Sequence, residues 1–417
     1  MGTEKIMDEP FLAIAQMHSI KAGKVKKGLQ EAAHNNKILV YKTDPDLIEL
    51  LDINNDRIFL EPLLFGYFNN LESDRKISLA QILYGYIKSH QRPSELKILF
   101  TKNRAYLPNL GTIELSTTKN IEIATLLHTE GTYQLVNEDN ENIAFQLSKI
   151  AKAGEFEIIK NNHPFFYKFF KQANPEVDLP VIEGVDTDRI ATALISHVER
   201  AIEIIKSNCP VFYQIAALAN SKILLFDCEQ INSFATKSLQ GLVFLSSSYQ
   251  SSGVSFYIDD LIHQWSHNIL NILVFDSPAY FKVDIERLPF APYSTDPNEK
   301  RDIFNTFHGL LTTSLRAGCF REIVLKDNNL CVDERQELMA RYIDQDRRYK
   351  NGLKSIPLKE LFTSKGCQLF HELDQLAFNC LGEIREQIER ADFSNQVSRF
   401  SFTKFCEING SLKEFQI

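Results

Sequence analysis

Two histidines placed four positions apart are the residues of this sequence best suited to chemistry. His263 and His267 lie in the segment DDLIHQWSHNILNILVF, residues 259–275. On an α-helix, residues at this spacing differ by about 40° and by roughly 6 Å along the axis, so their imidazoles can bind one ion at about 2.0–2.1 Å each. The surrounding apolar residues predict a helix buried on nearly all sides. The spacing favours a catalytic transition-metal site, and two hydrogen-bonded core histidines are the simpler alternative.

The residue after the first histidine divides the possible chemistries. In metallopeptidases with this spacing it is Glu, which acts as general base toward metal-bound water. Here it is Gln264, and an amide cannot accept a proton at neutral pH. The usual route of hydrolysis is therefore lost while metal binding is retained, which leaves metal chemistry that needs no Glu base, or an inactive hydrolase.

A metal site needs more than two protein ligands, and the candidates downstream are Asp276, Glu286, His308 and His371. Asp276 lies too far along the axis of a straight helix, whereas Glu286 follows a predicted loop and could fold back. His308 stands in the apolar helix DIFNTFHGLLTTSL, where the ordinary interpretation is a core histidine. His371 is interpreted as part of a solvated face.

The acidic pair Asp259–Asp260 precedes the two histidines. Either carboxylate could orient an imidazole through a hydrogen bond. The two could equally be charges at the helix N-terminus, which interact favourably with the helix dipole. We favour this second role.

The helices and strands that position these residues are distributed over three regions with different sequence patterns. Residues 1–105 are mostly helical in pattern, with a helix over 11–36 that ends at Asn35-Asn36. Residues 106–165 form a β-rich segment of short strands separated by polar turns, and residues 166–417 form a mostly helical metal-binding catalytic domain. The predicted strands are GTIELS, IEIATLL, TYQLV, AFQL, FEIIK, KILLFDC and GLVFLSS, and the later helices are 188–206, 258–275, 301–317, 333–348 and 366–391. The fold class is therefore α+β and mainly α-helical.

Composition limits the partners and the compartment. The 417 residues include 46 Lys and Arg against 54 Asp and Glu, a net charge of −8, which argues against general binding of nucleic acid or anionic membranes. No apolar run approaches the roughly 20 residues of a membrane span, and the start of the chain does not resemble a secretory signal. The seven cysteines are scattered and never spaced as CxxC. This is typical of reduced thiols, so we expect a cytoplasmic protein.

Residues 165–330 resemble a known family, the HExxH-motif proteins associated with peptide natural-product gene clusters. Some members of that family are peptide β-hydroxylases that depend on iron and 2-oxoglutarate. The segments that carry the resemblance are FYKFFKQANPEVDLP, IEIIKSNCPVFYQIAAL, KILLFDC, SFATKSLQGLVFLSSS, LIHQWSHNIL and APYSTDPNEKRDIFNTFHGLL, with YLPNLGTIEL at 106–115 as an additional β segment.

The resemblance implies a site and two cofactors. It implies iron held by His263, His267 and His308, and it makes Arg301, seven residues before His308, a candidate partner for a 2-oxoglutarate carboxylate. The plain interpretation of Arg301 is a solvated residue at a helix start. Gln264 departs from the Glu of the family motif, which a hydroxylase tolerates because its oxidant does not come from a base acting on water. Three histidines also suit zinc, which is the alternative metal.

The leading hypothesis is thus a cytoplasmic Fe(II)/2-oxoglutarate oxygenase that hydroxylates a side chain of a peptide or protein, such as a ribosomally made precursor peptide. Gln264 would then hydrogen-bond within the site. One alternative is a zinc-dependent, peptidase-like hydrolase with an unusual base. The other is a non-catalytic pseudoenzyme that binds a peptide through residues 1–165 and its strand edges.

Overall fold

The computed structural model describes residues 14–69, 77–129, 131–160, 163–247, 253–294, 299–327, 329–350, 357–396 and 400–410. The chain divides into two compact units. The first, which we call the histidine unit, comprises residues 1–25, 201–216 and 253–417. The second, the sheet unit, comprises residues 26–200 and 217–252. The three histidines singled out above all belong to the histidine unit.

Helices dominate the described part of the chain and strands are concentrated in the sheet unit. The α-helices are α1 (Ala22–Thr43), α2 (Pro45–Glu49), α3 (Asp56–Phe59), α4 (Pro62–Phe68), α5 (Leu79–Leu83), α6 (Tyr167–Ala173), α7 (Leu179–Gly184), α8 (Thr187–Asn208), α9 (Pro210–Ala219), α10 (Val254–Leu273), α11 (Ile303–Lys326), α12 (Val332–Lys350), α13 (Leu358–Leu361), α14 (Ser364–Glu383), α15 (Arg385–Arg390) and α16 (Phe402–Asn409). The strands are β1 (Glu95–Leu99), β2 (Arg104–Leu107), β3 (Gly111–Leu115), β4 (Ile123–Thr129), β5 (Thr132–Val136), β6 (Phe145–Ser148), β7 (Ala151–Ala153), β8 (Phe156–Ile159), β9 (Lys222–Phe226), β10 (Phe234–Ala235) and β11 (Leu242–Ser246). The mixed, mainly helical class expected from the sequence is confirmed.

The strands of the sheet unit form three sheets, with the orders β1-β4-β5, β2-β3-β6 and β10-β11-β9-β8-β7. In the third sheet β9 is parallel to both β8 and β11, and the remaining pairs are antiparallel. Strands β9 and β11 are buried at every position. Strand β9 lies between two parallel neighbours, an arrangement that is usually covered on both faces. The strands predicted between 111 and 160 are all present.

The first hundred residues are mostly helical as expected, but they differ from the sequence expectation in two details. Residues Glu95–Leu99 form strand β1, whose side chains alternate between exposed and buried positions as it pairs with β4. The first long helix begins at Ala22 and passes through the predicted Asn-Asn stop. Asn36 is tolerated within it because its Nδ2 donates to the carbonyl of Phe59 at 2.8 Å, so the amide does not compete with the helix backbone. Residues 11–13 of the predicted helix lie outside the described residues.

A buried charged network lies in the sheet unit. The ammonium group of Lys222, which is 2% exposed, donates to Tyr106 Oη at 2.8 Å and to Glu157, and it lies 3.3 Å from Glu61 Oε2. Tyr106 donates to Glu157 at 2.5 Å, and Tyr86 donates to Glu61. Burial raises the pKa of Glu61, against the opposing influence of Lys222. Each charge here has an opposite charge beside it, as buried ions require.

Helix α11 is the centre of the histidine unit and packs against α10, α12 and α14. Its residues 311–320 are all buried, as expected for a helix covered on all sides. Trp265 of α10 is fully buried, with ring centroids 6.5 Å from Phe212 and 6.3 Å from Tyr213.

The cysteines and the hydropathy of the helices agree with the sequence expectations. All seven cysteines carry free thiols. Among the described residues, none of the helices combines the length and the apolar character that crossing a membrane requires.

Candidate metal centre

Helix α10 presents the two histidines on its one accessible stripe. Fifteen of its residues are buried, in agreement with the sequence expectation. The half-buried remainder consists of Phe256, Asp260, His263, His267 and Asn271. These positions are spaced by three or four residues and therefore lie along one side of the helix. The histidine pair thus lies on the less buried side of a mostly buried helix.

His308 comes to this pair from helix α11. Nδ1 of His308 lies 2.6 Å from Nδ1 of His267, and Nε2 of His267 lies 3.2 Å from Nε2 of His263. The ring centroids of adjacent pairs are 4.9 Å apart in both cases. The three imidazoles therefore form a continuous cluster, although His267 and His308 are 41 residues apart in sequence.

Electrostatics keeps the helix α10 imidazoles neutral. Burial, followed by the charge of Arg316, lowers the pKa of His267 to about 4. The same two causes, with the neighbouring imidazoles and Arg348, hold the pKa of His263 well below its ordinary value. Metal ions bind neutral imidazole, so both rings are in the binding form at neutral pH without first losing a proton.

The orientation of the rings decides how one ion fits. His267 faces His263 with Nε2 and His308 with Nδ1, and one imidazole cannot direct both nitrogens to the same ion. Among the described residues, no three His, Cys, Asp or Glu side chains already meet with the geometry of a metal site. A half-turn of the His267 ring about Cβ–Cγ exchanges Nε2 with Cε1, the atom between the two nitrogens, and directs Nε2 toward both neighbours. Such a ring flip keeps the shape of the side chain, and a single ion shared by all three residues would require it.

Gln264 contacts the first histidine. Its Nε2 lies 3.4 Å from His263 Nδ1 and 3.3 Å from Asp260 Oδ1, and its buried Oε1 has no hydrogen-bond partner within the described part of the chain. A histidine that binds metal through Nε2 carries a proton on Nδ1 and donates it to an acceptor. The amide Nε2 donates to Asp260, and a flip that offered Oε1 to His263 would bring two acceptor oxygens together. Gln264 therefore contacts His263 but does not supply that acceptor in this arrangement.

Arg301 lies near His308 but holds a protein carboxylate. Its Nη1 is 3.9 Å from the position that a Cβ at Gly309 would occupy. The guanidinium group donates to Glu299 through Nε at 2.9 Å and through Nη2 at 2.5 Å. Hydrogen bonds from Arg301 are the first cause that lowers the pKa of Glu299 to about 2. The edge of the Arg301 guanidinium group formed by Nε and Nη2 is thus occupied by Glu299.

The expected role of Asp259 and Asp260 as N-terminal helix charges is wrong. Helix α10 begins at Val254, one turn earlier than predicted, and no acidic residue lies in its first turn. Asp259 is buried, and it accepts from Arg316 Nε at 2.6 Å and from Arg341 Nη1 at 2.9 Å. Asp260 Oδ1 accepts from Gln264. Asp259 therefore joins helices α10, α11 and α12 through ion pairs.

Helices α10 and α11 run antiparallel with a register that two contacts define. His267 meets His308, and eight residues earlier on α10 Asp259 meets the residue eight positions later on α11, Arg316. This arginine was not among the residues that the sequence motifs singled out. Asp259 lies eight residues before His267, and Arg316 lies eight residues after His308. This matched spacing could have pointed to Arg316, but only if the two helices were already known to pair.

The other downstream candidates are placed on the surface. Asp276, Glu286 and His371 are all exposed. His371 lies within helix α14, where its exposure agrees with the predicted solvated face. Of the four downstream candidates, His308 is the one that contacts the histidine pair within the described part of the chain.

Comparison with known proteins leaves the chain without an identified relative. No protein-family model matches it, and a search of curated proteins gave no significant match.

Proposed function

We propose that this protein is a metal-dependent oxygenase of the cytoplasm that hydroxylates a side chain of a peptide or protein, using Fe(II), O₂ and 2-oxoglutarate. The observation that carries the proposal is the cluster of His263, His267 and His308 beside Gln264. Neutral imidazoles supply metal ligands, and an amide next to them supplies no general base. The resemblance of residues 165–330 to peptide β-hydroxylases gives the substrate class, for which a ribosomally made precursor peptide is the natural example.

In this proposal the three histidines hold the iron and Gln264 hydrogen-bonds within the site. The bound iron supplies the activation of O₂, which is coupled to decarboxylation of 2-oxoglutarate. The half-buried stripe of α10 gives co-substrate and peptide access to the histidines, while the buried face of the helix keeps the imidazoles at fixed positions. The low pKa of His267, about 4, supports ligation across the physiological pH range.

The experiment is anaerobic reconstitution with Fe(II), followed by addition of O₂ and 2-oxoglutarate and measurement of succinate. We expect succinate to form slowly even without peptide and to disappear in His263→Ala. His371→Ala, which removes an exposed histidine of the same unit, is the matched control and should form succinate at the wild-type rate.

The same preparation separates the competing functions. A zinc-dependent hydrolase predicts copurifying zinc and a gain of peptidase activity in Gln264→Glu, because the general base would be restored. A non-catalytic peptide-binding protein predicts no succinate and unchanged peptide binding in His263→Ala. Absence of succinate from a protein that binds Fe(II) stoichiometrically would contradict the oxygenase proposal.

A further inference from the structure

The buried cluster around Lys222 in the sheet unit has one cation for two carboxylates. The ammonium group of Lys222 contacts Glu157 and lies 3.3 Å from Glu61 Oε2. Within the described part of the chain, no other cation contacts either carboxylate. Two ionised carboxylates would therefore leave a net negative charge in a buried place, and a buried charge of this kind is neutralised by binding a proton.

The contacts of the two carboxylates differ in a way that locates the proton. Both oxygens of Glu157 accept from strong donors, Oε2 from the ammonium group of Lys222 and Oε1 from Tyr106 at 2.5 Å. Glu61 is farther from that ammonium group, and its side chain is fully buried, whereas the side chain of Glu157 is 12% exposed. A carboxylate with a closer cation and partial exposure keeps its charge at lower cost. Glu61 is therefore the group that takes the proton.

The hydrogen bonds of Glu61 accommodate a neutral side chain. Its Oε1 accepts from the backbone N–H of Leu63 at 3.2 Å, in the first turn of α4. Its Oε2 contacts the hydroxyl of Tyr86, which belongs to the short 3₁₀ helix Tyr84–Tyr86. Burial raises the pKa of both Tyr86 and Tyr106 well above the ordinary value, so neither phenol adds a charge to the cluster.

The charged groups around Glu61 act in opposite directions. Burial is the first cause that raises the pKa of Glu61, Lys222 opposes it, and the charge of Glu157 raises it further. Two other elements pack against α4. Helix α5 contains no titratable residue, and the segment Lys237–Leu239 contributes only the exposed Lys237. The balance therefore depends on burial and on the two charged partners.

We propose that Glu61 holds a proton at neutral pH and that release of this proton at higher pH weakens the sheet unit. The inference concerns the sheet unit alone and does not depend on the proposed function. The cluster joins α4 and the 3₁₀ helix Tyr84–Tyr86 to strands β2, β8 and β9. Ionisation of Glu61 places a second negative charge beside Lys222 and Glu157, so the junction between these elements loses stability. The cluster is thus a pH-sensitive junction built into the fold.

The sign of the pH dependence follows from the direction of the pKa shift. The pKa of Glu61 is raised above its ordinary value of 4.5 in the folded protein, so the folded state keeps the proton at a pH where the unfolded chain has lost it. The contribution to stability is fully present below pH 4.5 and is lost as the pH rises through the folded pKa. A difference of one bound proton changes the folding equilibrium constant by about tenfold per pH unit.

Infrared spectroscopy in D₂O detects the proton directly, through the carbonyl band of a neutral carboxyl group. At pD 7 we expect this band in the wild type and its loss in Glu61→Gln. Glu95→Gln, which replaces an exposed glutamate on strand β1 of the same unit, is the matched control and should keep the band. Absence of the band from the wild type, or an unchanged band in Glu61→Gln, would overturn the proposal.

Urea denaturation between pH 5 and pH 7 measures the effect on stability. Relative to Glu61→Gln, the folding equilibrium constant of the wild type should fall by about tenfold per pH unit, or about 100-fold over this range. The ratio between the wild type and Glu95→Gln should stay constant within about twofold. Parallel pH profiles of the wild type and Glu61→Gln would contradict the release of a proton from Glu61.

A comparison with Glu157→Gln tests which carboxylate is neutral. Because Gln resembles a neutral Glu, Glu61→Gln should change the folding equilibrium constant at pH 7 by less than about fivefold. Glu157→Gln removes the ionised partner of Lys222 and should lower the constant by at least about tenfold more. The reverse order would place the proton on Glu157 and refute the assignment. Failure of Glu61→Gln to fold would refute it as well, because the neutral side chain is the form proposed for the native protein.

Discussion

Each unit of the molecule contains a buried polar cluster, and the two clusters differ in how their charges are paired. In the sheet unit, the ammonium group of Lys222 contacts Glu61, Glu157 and Tyr106, so two buried carboxylates share one cation. Since a hydrogen-bonded buried network rigidifies a core, we interpret this network as structural.

In the histidine unit the signs are reversed, because the single buried carboxylate of Asp259 is shared by Arg316 and Arg341, and Arg341 also pairs with Glu337. The same unit contains the histidine cluster, in which the pKa values of His263 and His267 are lowered. The comparison teaches that buried ion pairs by themselves do not indicate a binding site, because both units contain them. The histidine cluster is the feature that distinguishes the histidine unit.

The largest expected effect tests the structural interpretation of the sheet unit. Lys222→Met leaves Glu61 and Glu157 buried without their cation, so we expect the free energy of unfolding to fall by about 3–5 kcal/mol. Urea denaturation followed by circular dichroism measures it. Lys152→Met, an exposed lysine on strand β7 of the same sheet, is the control and should change stability by less than about 0.5 kcal/mol. A loss below about 1 kcal/mol for Lys222→Met would refute the structural role.

The second-largest effect is expected from removal of a histidine, which should lower the affinity for metal and leave the stability nearly unchanged. Four-ligand zinc sites bind with about 10–16 kcal/mol, so one ligand contributes about 3 kcal/mol, on the order of 100-fold in affinity. His263→Ala should lose that much Co(II) affinity in competition with a chelator, while urea denaturation of the metal-free protein changes by about 1 kcal/mol or less. His371→Ala should keep the wild-type affinity. Equal affinity of His263→Ala and the wild type would exclude the site.

A third prediction sharpens the role of His308. If the His267 ring turns as one ion requires, the nitrogen signals of three histidine rings shift when Zn(II) is added to ¹⁵N-histidine-labelled protein. We expect three shifted rings in the wild type and two in His308→Ala, with affinity lowered by roughly 10–100-fold. Two shifted rings in the wild type would instead assign His308 to a hydrogen bond with a ligand.

The smallest effect concerns the ion pair between Glu299 and Arg301, of which the Arg301 side chain is exposed. The folded-state pKa of Glu299, about 2, lies below its ordinary value of 4.5, so its contribution to stability is present above pH 4.5 and is lost as the pH falls toward 2. Because Arg301 is screened by solvent, we expect Glu299→Gln to cost less than about 1 kcal/mol at pH 7. The cost, measured by urea denaturation, should shrink at pH 3. A cost that grows on acidification would contradict the assigned pairing.

The sequence by itself determined the local features of this protein. Apolar periodicity gave helix α10 and the strands between 111 and 160, and the spacing of four residues placed His263 and His267 on one side of a helix. These features depend on neighbours in the chain, and local patterns record them directly. The absence of a carboxylate at Gln264 was also a property of the sequence alone.

The tertiary structure alone decided which distant side chains meet. It brought His308 to His267 and paired Asp259 with Arg316 across two antiparallel helices. The sequence placed both aspartates at a helix start because it could not locate the first turn of α10. Pairing of buried charges depends on helix register and on which oxygen faces which guanidinium group, and neither is encoded in the spacing of residues along a single segment.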